Sequence, residues 1–324
     1  MTTTSLPDWL TPASQMPWPV ATPFRMRPNL EKLDADAPAL LLRDGLADVY
    51  QRERERVISG HRGRAMVGMA SEQTLAAIQG FAQTQIAATQ GSPPSPLEGD
   101  ATRVSPAGSG GEGEAGSSSQ GSSPIRPHPL PSPLPSRERG PSPMQEDFVI
   151  LKLENETLRT EYLSVCFPSR WDPREKLGLD FAAIHAPVAD NQTLMAAGPS
   201  IMTMAFMKQP MLRHVWLIVP SASLDQHPDK NEAWWTEALR DMSPLLTNLY
   251  FRVERQTTWP LPQFERAVFF IRVMMSPLED VLANAPGRPA ELAESLRSMT
   301  PEVVAYRGMT EAMPRLLAEL DHFE

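Results

Sequence analysis

The first part of the chain contains two stretches in which apolar residues recur at helical spacing. We predict amphipathic helices near 36–58 and 72–89. The apolar positions that define the first are Leu40, Leu41, Leu46, Val49 and Tyr50. Its continuation RERER, residues 52–56, is typical of a solvated helix face.

Beyond residue 144 the pattern changes from helices to strands. FVILKL (148–153), YLSVCF (162–167) and VWLIV (215–219) are short apolar runs, and each predicts a strand. The longest alternating runs are 249–259 and 266–275, which a proline-containing turn separates. This arrangement predicts an antiparallel hairpin.

Helical patterns lie between and after these strands, at 173–185, 231–242, 277–285, 288–299 and 310–322. Gly198-Pro199 predicts a break that leaves at most a short helix at 200–207. Strands and helices do not alternate regularly. The sequence therefore predicts an α+β fold, in which helices flank an antiparallel sheet.

The segment 91–143 differs in composition from the sequence on either side. Of its 53 residues, 33 are Gly, Pro or Ser, and none is aromatic. Such a composition buries too little apolar surface to offset the entropy of ordering, so we predict disorder. For the stretch 125–143, a ligand for a proline-binding module is the alternative. The rest of the chain is long enough for one large domain or two average ones.

Composition and charge restrict the function classes. A hydrophobic content of 41%, with seven Trp and eleven Phe, supplies a core. A formal net charge of −9 opposes attraction to nucleic acid or anionic lipid. The single cysteine, Cys166, suits a reducing compartment. The N-terminus lacks the pattern of a secretory leader, and polar residues interrupt the apolar stretch 201–219, so we expect a cytoplasmic protein without membrane anchoring.

Standard catalytic signatures are missing from the sequence, which contains no phosphate-binding Gly-rich loop, HExxH, GxSxG or CxxC motif. The first unusual cluster is CFPSRWDPREKLGLDFAAIHAPV, residues 166–188. It carries His185 in apolar surroundings, where a histidine is either a core residue with one satisfied ring nitrogen or a ligand. Arg170 is either a surface cation or a partner for a carboxylate, which its planar fork suits.

The second unusual cluster is the strand at 249–259. One face is apolar, and the other carries Tyr250, Arg252, Glu254 and Gln256. This polar face either points to solvent or lines a polar pocket, in which Glu254 would hold a cationic substrate. Weaker candidates are Cys166, which is typical of inert packing, and the minor candidates His61, His214 and His227.

Several blocks resemble the α-subunit-like family of haem-dependent oxidative N-demethylases. The similar blocks are PFRMRPNLEKLD (23–34), QEDFVIL (145–151), the cluster at 166–188, LYFRVERQTTWPLP (249–262) and AVFFIRVMMSPL (267–278). FPSRW followed by IHxPV and then RVERQT is not a pattern that strand propensity alone produces. Blocks on both sides of 91–143 indicate that this segment interrupts one domain, made of a helical part (23–90) and a remainder (144–324). An extended Pro-rich lead (1–22) precedes it.

The resemblance implies a PAS-like antiparallel sheet that binds one b-type haem. It implies an O₂-dependent monooxygenase that N-demethylates a small amine. A separate reductase with FMN and an iron–sulfur cluster would deliver electrons from NADPH. His185 would be the proximal iron ligand, and Arg170, beside Trp171, would anchor the haem edge. Arg252 and Glu254 would polarise the distal pocket or hold the amine.

One departure from the family pattern bears on activity. After Trp216, where the family resemblance leads us to expect polar Arg and an Asn-Trp pair, this chain reads Leu217, Ile218, Val219 and Pro220. The sequence therefore leaves open whether the protein is an enzyme. The alternatives are a haem-binding PAS-like sensor or carrier, and a scaffold that lacks a cofactor.

Overall fold

The hairpin that the sequence predicts forms the centre of the structure. The computed structural model describes residues 6–33, 40–89, 144–230 and 234–323. Its strands are β1 (Glu31–Lys32), β2 (Met66–Gly68), β3 (Asp147–Glu154), β4 (Thr157–Ser164), β5 (Met211–Val219), β6 (Tyr250–Leu261) and β7 (Arg266–Pro277). Together they form one antiparallel sheet in the order β1-β5-β6-β7-β3-β4-β2. The predicted α+β class is confirmed.

The helices lie on both faces of this sheet. They are α1 (Ala47–Ala65), α2 (Glu72–Thr89), α3 (Phe181–His185), α4 (Gln192–Ile201), α5 (Trp234–Arg240), α6 (Leu278–Ala283), α7 (Arg288–Arg297), α8 (Pro301–Tyr306) and α9 (Met313–Leu320). A π-helix, Met202–Lys208, continues α4. Three predicted stretches lie outside the described residues: the insertion at 91–143, the start of the first helix at 36–39, and the start of the helix predicted at 231–242, at 231–233.

The β6–β7 hairpin is confirmed over its whole length. The pairing runs without a shift from Tyr250 opposite Pro277 to Leu261 opposite Arg266. Its turn, Pro262–Phe264, ends at Glu265, whose φ of 54° lies in the left-handed region. β3 and β5 also fall where strands are predicted, although β5 begins four residues earlier than the VWLIV run.

The strand prediction at 162–167 is wrong in its extent, because β4 ends at Ser164. The Asp147 carboxylate accepts hydrogen bonds from the backbone N–H groups of Cys166 (2.9 Å) and Phe167 (2.8 Å). The Asp147 side chain therefore takes the two backbone N–H groups that would otherwise continue the hydrogen bonding of the strand. The chain leaves the sheet there and turns toward the segment that carries Arg170.

The continuous helix predicted at 173–185 is also wrong. A 3₁₀ turn, Pro173–Lys176, is followed by Gly178 at a φ of 76° and then by α3. Each helical piece has its own aspartate cap. Asp172 accepts from the Arg174 N–H at 2.8 Å, and Asp180 accepts from the Ala183 N–H at 2.9 Å.

The break predicted at Gly198-Pro199 is absent. Helical structure runs from Gln192 to Lys208, because α4 leads directly into the π-helix. Its apolar face packs against the sheet through Leu194, Ile201 and Phe206, and this burial outweighs the hydrogen bond that Pro199 cannot make. The short helix α8, which begins at a Thr300-Pro301 cap, was not predicted.

The two faces of the sheet have different coverings. Phe251 and Val253 of β6 point toward α6 to α9, and this apolar cluster forms the larger part of the core. The Pro-rich lead joins it, since the rings of Trp18 and Phe251 lie 5.2 Å apart. α1, α4 and the π-helix cover the opposite face. We call this opposite face, which carries Arg213, Arg252, Glu254 and Gln256, the site face.

Buried ion pairs attach α1 to the site face. Arg54 lies 2.7 Å from Asp147, and Arg64 lies 2.7 Å from Asp225, with all four side chains largely buried. The prediction that RERER is a solvated face is therefore wrong for Arg54. Within the described residues, none of the helices has the length and apolar character that crossing a membrane requires.

Candidate functional site

Strand register places four polar side chains on the site face. Arg213 of β5 lies opposite Gln256 of β6, Val215 opposite Glu254, and Leu217 opposite Arg252. Cross-strand partners share one face of an antiparallel sheet. Arg252 is fully buried and Glu254 is 7% exposed, so the solvent-facing interpretation of this strand is wrong.

His185 is the last residue of α3 and is held at three points. Its Nδ1 lies 2.7 Å from the Phe181 carbonyl oxygen, and its ring lies 4.1 Å from the Phe181 ring. Asn191 donates a hydrogen bond to the His185 carbonyl oxygen at 3.0 Å. Because a carbonyl oxygen only accepts, Nδ1 carries the proton and the lone pair of the neutral ring lies on Nε2.

The surroundings of His185 favour the neutral ring. Burial lowers its pKa, the hydrogen bond to Phe181 opposes this effect, and the positive charges of Arg213 and Lys176 lower the pKa further. The imidazole is therefore neutral at physiological pH. A neutral imidazole with a fixed Nδ1–H is the form that binds a metal through Nε2.

The Glu254 carboxylate has a fixed orientation. Ser169 Oγ donates to Glu254 Oε1, and Gln256 Nε2 donates to Oε2 at 2.7 Å. Ser169 in turn accepts a hydrogen bond from Arg252 Nε at 2.8 Å. The chain Arg252–Ser169–Glu254–Gln256 holds one carboxylate in place at the centre of the site face.

Arg252 belongs to the support of this site rather than to its surface. Its guanidinium donates to the carbonyl oxygens of Phe167 (2.8 Å) and Leu224 (3.1 Å), in addition to Ser169. It is completely buried. Arg252 therefore acts on Glu254 through Ser169 and connects the site face to two loops.

Arg213 is the cation of the site face that sequence reasoning missed. Burial lowers the pKa of its guanidinium, and the nearby Glu254 carboxylate opposes that effect. Its charge also acts on His185. Arg213 therefore lies within electrostatic reach of both His185 and Glu254. The alternation of residues along β5 could have indicated that Arg213 shares a face with Val215 and Leu217. From the sequence alone, residue 213 is treated only as a polar interruption of the apolar stretch 201–219.

Tyr306, at the end of α8, extends this group. Burial raises the pKa of its phenol, Arg307 lowers it, and the Glu254 carboxylate raises it. The ring is half exposed, at 53%. We call His185, Arg213, Glu254, Gln256 and Tyr306 the His185 site.

Arg170 and Trp171 lie at the rim of this site. Arg170 is exposed, has a φ of 64°, and donates its backbone N–H to the Gln226 carbonyl oxygen at 3.0 Å. A Cβ placed on Gly308 would lie 3.8 Å from Arg170 Nη1, so the guanidinium lies beside the turn that follows α8 rather than against His185. Trp171 is half-buried and packs against the apolar clusters of both α1 and α4.

The remaining candidates lie elsewhere. His214 points to the opposite face of the sheet, beside Arg255, and burial together with that cation lowers its pKa to about 4. His227 is buried next to Asp172, and His61 lies at a kink within α1. Burial raises the pKa of the Cys166 thiol to about 12. The interpretation of Cys166 as inert packing agrees with this value.

The fold and the site define a class: an α+β protein with an antiparallel sheet, a hydrogen-bonded carboxylate on the covered face of that sheet, and a neutral histidine at the end of a short helix. The family model described as haem-dependent oxidative N-demethylase, alpha subunit-like, matches residues 141–317. The chain belongs to that family, which confirms the resemblance. The match includes His185, Arg170 and Glu254, whereas the block at 23–34 lies outside it. No curated protein matches the chain.

Proposed function

We propose that this chain is the haem-binding subunit of an O₂-dependent N-demethylase that acts on a small amine. The main observation behind the proposal is the orientation of the His185 ring. Its Nδ1–H donates a hydrogen bond to the Phe181 carbonyl oxygen, so the lone pair on Nε2 is available to bind a metal. Membership of a family described as haem-dependent and alpha subunit-like supports both the cofactor and a partner subunit.

The residues of the site fit a b-type haem. Nε2 of His185 would hold the iron, since a neutral imidazole is a common axial ligand. The guanidinium of Arg170 has no hydrogen-bond or ion-pair partner within the described residues, which leaves it free for a haem carboxylate. Trp171 and Phe181 offer apolar and aromatic contact to a macrocycle from the same covered side of the sheet.

The substrate would be held on the other side of the same pocket. Glu254 offers a negative charge to an ammonium group, while Ser169 and Gln256 prevent the carboxylate from rotating. Val215 and Leu217 lie next to it on β5 and give N-alkyl groups an apolar surface. Haem supplies the O₂ chemistry when it is bound. The chain would supply the His185 nitrogen that holds the iron, a cation at Arg170 for a haem carboxylate, and the Glu254 carboxylate that orients the amine.

The wider architecture of the proposal is a PAS-like domain that the segment 91–143 interrupts. Pairing of β1 with β5, and of β2 with β4, joins residues from both sides of that segment in one sheet, which supports a single domain. Electrons would come from NADPH through a separate reductase with FMN and an iron–sulfur cluster.

Haem reconstitution tests the proposal. We expect the purified chain to give a Soret band with stoichiometric haem, and His185→Ala to lose or shift that band. His322→Ala, at an exposed position, is the matched control and should leave the spectrum unchanged. A chain without a Soret band after reconstitution would contradict the proposal. With a suitable reductase, oxidation of NADPH that depends on an added secondary amine would establish the activity.

A haem-binding sensor or carrier is the second candidate, and one feature favours it. Leu217 lies on the site face opposite Arg252, at a position where the family resemblance suggests polar residues. A pocket with fewer polar groups binds haem but orients a substrate less well. Haem binding without any amine-dependent NADPH oxidation would support this candidate over the enzyme.

A further inference from the structure

Arg213 is a half-buried cation whose guanidinium has no partner in the part of the chain that the structure describes. Its Nε is fully covered and makes no hydrogen bond. Within residues 6–33, 40–89, 144–230 and 234–323, no carboxylate lies within ion-pair distance of it. Native proteins rarely cover a guanidinium N–H without a hydrogen-bond partner, because the lost hydration is not replaced.

The neighbours of Arg213 are committed to other groups. Gln256, its cross-strand partner, donates to Glu254, and the two Glu254 oxygens are taken by Ser169 and Gln256. Glu254 therefore acts on Arg213 only at a distance. The fold therefore keeps a half-buried positive charge on the site face and commits the Glu254 carboxylate to other donors.

We propose that Arg213 binds a carboxylate of the ligand that occupies the His185 site. Resting on the proposed function, this carboxylate is a propionate of haem. A guanidinium presents two parallel N–H donors that match a carboxylate, and a covered position strengthens that pairing. Arg170 is exposed, whereas Arg213 is half-buried and its Nε is fully covered, so Arg213 would contribute more to affinity and to the orientation of the macrocycle.

The test compares haem with its dimethyl ester, in which both propionates lose their charge. We expect the wild-type chain to bind haem about tenfold more tightly than the ester. Arg213→Met should weaken haem binding by about tenfold and leave the affinity for the ester unchanged. Arg213→Lys, which keeps the charge but not the planar fork, should lie between the two. Dissociation constants come from Soret titrations.

The stability of the haem-free chain gives an independent readout. Removal of a half-buried cation whose covered Nε has no partner should raise the melting temperature of the haem-free Arg213→Met variant. A structural arginine would show the opposite change. Arg240→Met, at an exposed position on α5, is the matched control and should change neither the melting temperature nor haem affinity.

Failure of this assignment can be told apart from failure of the proposed function. A wild-type chain that binds haem and the ester equally well would overturn the carboxylate-binding roles of Arg213 and of Arg170, but it would leave haem binding itself in place. A lower melting temperature of Arg213→Met with unchanged haem affinity would also overturn it. A wild-type chain without a Soret band would overturn both.

Discussion

At the scale of single residues, two arginines of the site face differ in how their donors are used. Arg252 gives its donors to two carbonyl oxygens and Ser169, and thereby fixes the position of loops. Arg213 is covered but unpaired. An arginine whose donors are all hydrogen-bonded within the chain thus stabilises the fold, whereas an arginine with unsatisfied donors indicates a binding site for a ligand.

Glu254 should matter for the amine and not for the fold. Glu254→Gln keeps the acceptor that Ser169 uses and removes the charge that would hold an ammonium group. We expect an unchanged Soret band and a KM for the amine raised by about tenfold or more. Glu237→Gln, at an exposed position on α5, is the control. An unchanged KM would remove Glu254 from the substrate pocket.

His214 should make stability depend on pH. Its pKa is about 4 in the folded chain, against about 6.5 in an unfolded one, because burial and Arg255 disfavour its charged form. The unfolded state therefore binds more protons between these values, and the free energy of unfolding falls as the pH drops from about 6.5 to about 4.

Urea unfolding at several pH values, with and without His214→Gln, measures this contribution. In wild type, the free energy of unfolding should fall by roughly 2–3 kcal/mol over this pH range because of His214. This fall should be absent in His214→Gln and present in the exposed control His322→Gln. Equal pH profiles for wild type and His214→Gln would contradict the prediction.

At the scale of elements, period-two patterns predicted the structure best. β6 and β7 alternate over twelve paired positions, so the hairpin could be read from the sequence. The end of β4 could not be predicted from the local pattern. The backbone N–H of Cys166 donates to the Asp147 side chain, which is 19 positions away in the sequence, instead of to a neighbouring strand. Burial of Arg252 and Glu254 excludes a solvent-facing polar face on β6, and a substrate pocket there stays a prediction. Arg213 on the neighbouring strand was missed because cross-strand neighbours are set by register between distant segments.

The packing of α3 against α4 supports the position of His185. A Cβ placed on Gly198 would lie 3.0 Å from Phe181 Cδ1, and Phe181 holds the His185 ring. Alanine is roughly 1 kcal/mol more favourable than glycine inside a helix. Because the new methyl group would crowd Phe181, Gly198→Ala should raise the free energy of unfolding by much less than this amount and should weaken haem binding. In α2, no atom lies within 4 Å of a Cβ placed on Gly80, so Gly80→Ala should raise the free energy of unfolding by the full amount. Equal gains in urea unfolding would contradict this account.

At the scale of the whole molecule, residues from both sides of 91–143 complete one sheet. Tyr50 donates a hydrogen bond to the Val273 carbonyl oxygen at 2.8 Å, and Arg272 lies 2.8 Å from Asp44. The first ninety residues thus cover the strands that the later residues form.

Replacement of 91–143 by a short Gly/Ser linker should leave the fold intact. The free energy of unfolding should change by only about 1–2 kcal/mol, because loop length affects closure entropy weakly. The fragment 144–324 alone should not unfold cooperatively, since it leaves Asp147 and Asp225 buried without their arginine partners. Thermal unfolding of both chains measures this difference. A fragment as stable as the full chain would contradict the single-domain proposal.

The strand order has a consequence for synthesis on the ribosome. β1 and β2 are translated first, but they lie at opposite edges of the sheet and pair only with β5 and β4. β7 is translated last and is the strand that joins β5 and β6 to β3 and β4. A nascent chain that stalls before residue 266 therefore carries two half-sheets without a common strand, and their exposed edges are targets for chaperones and for aggregation.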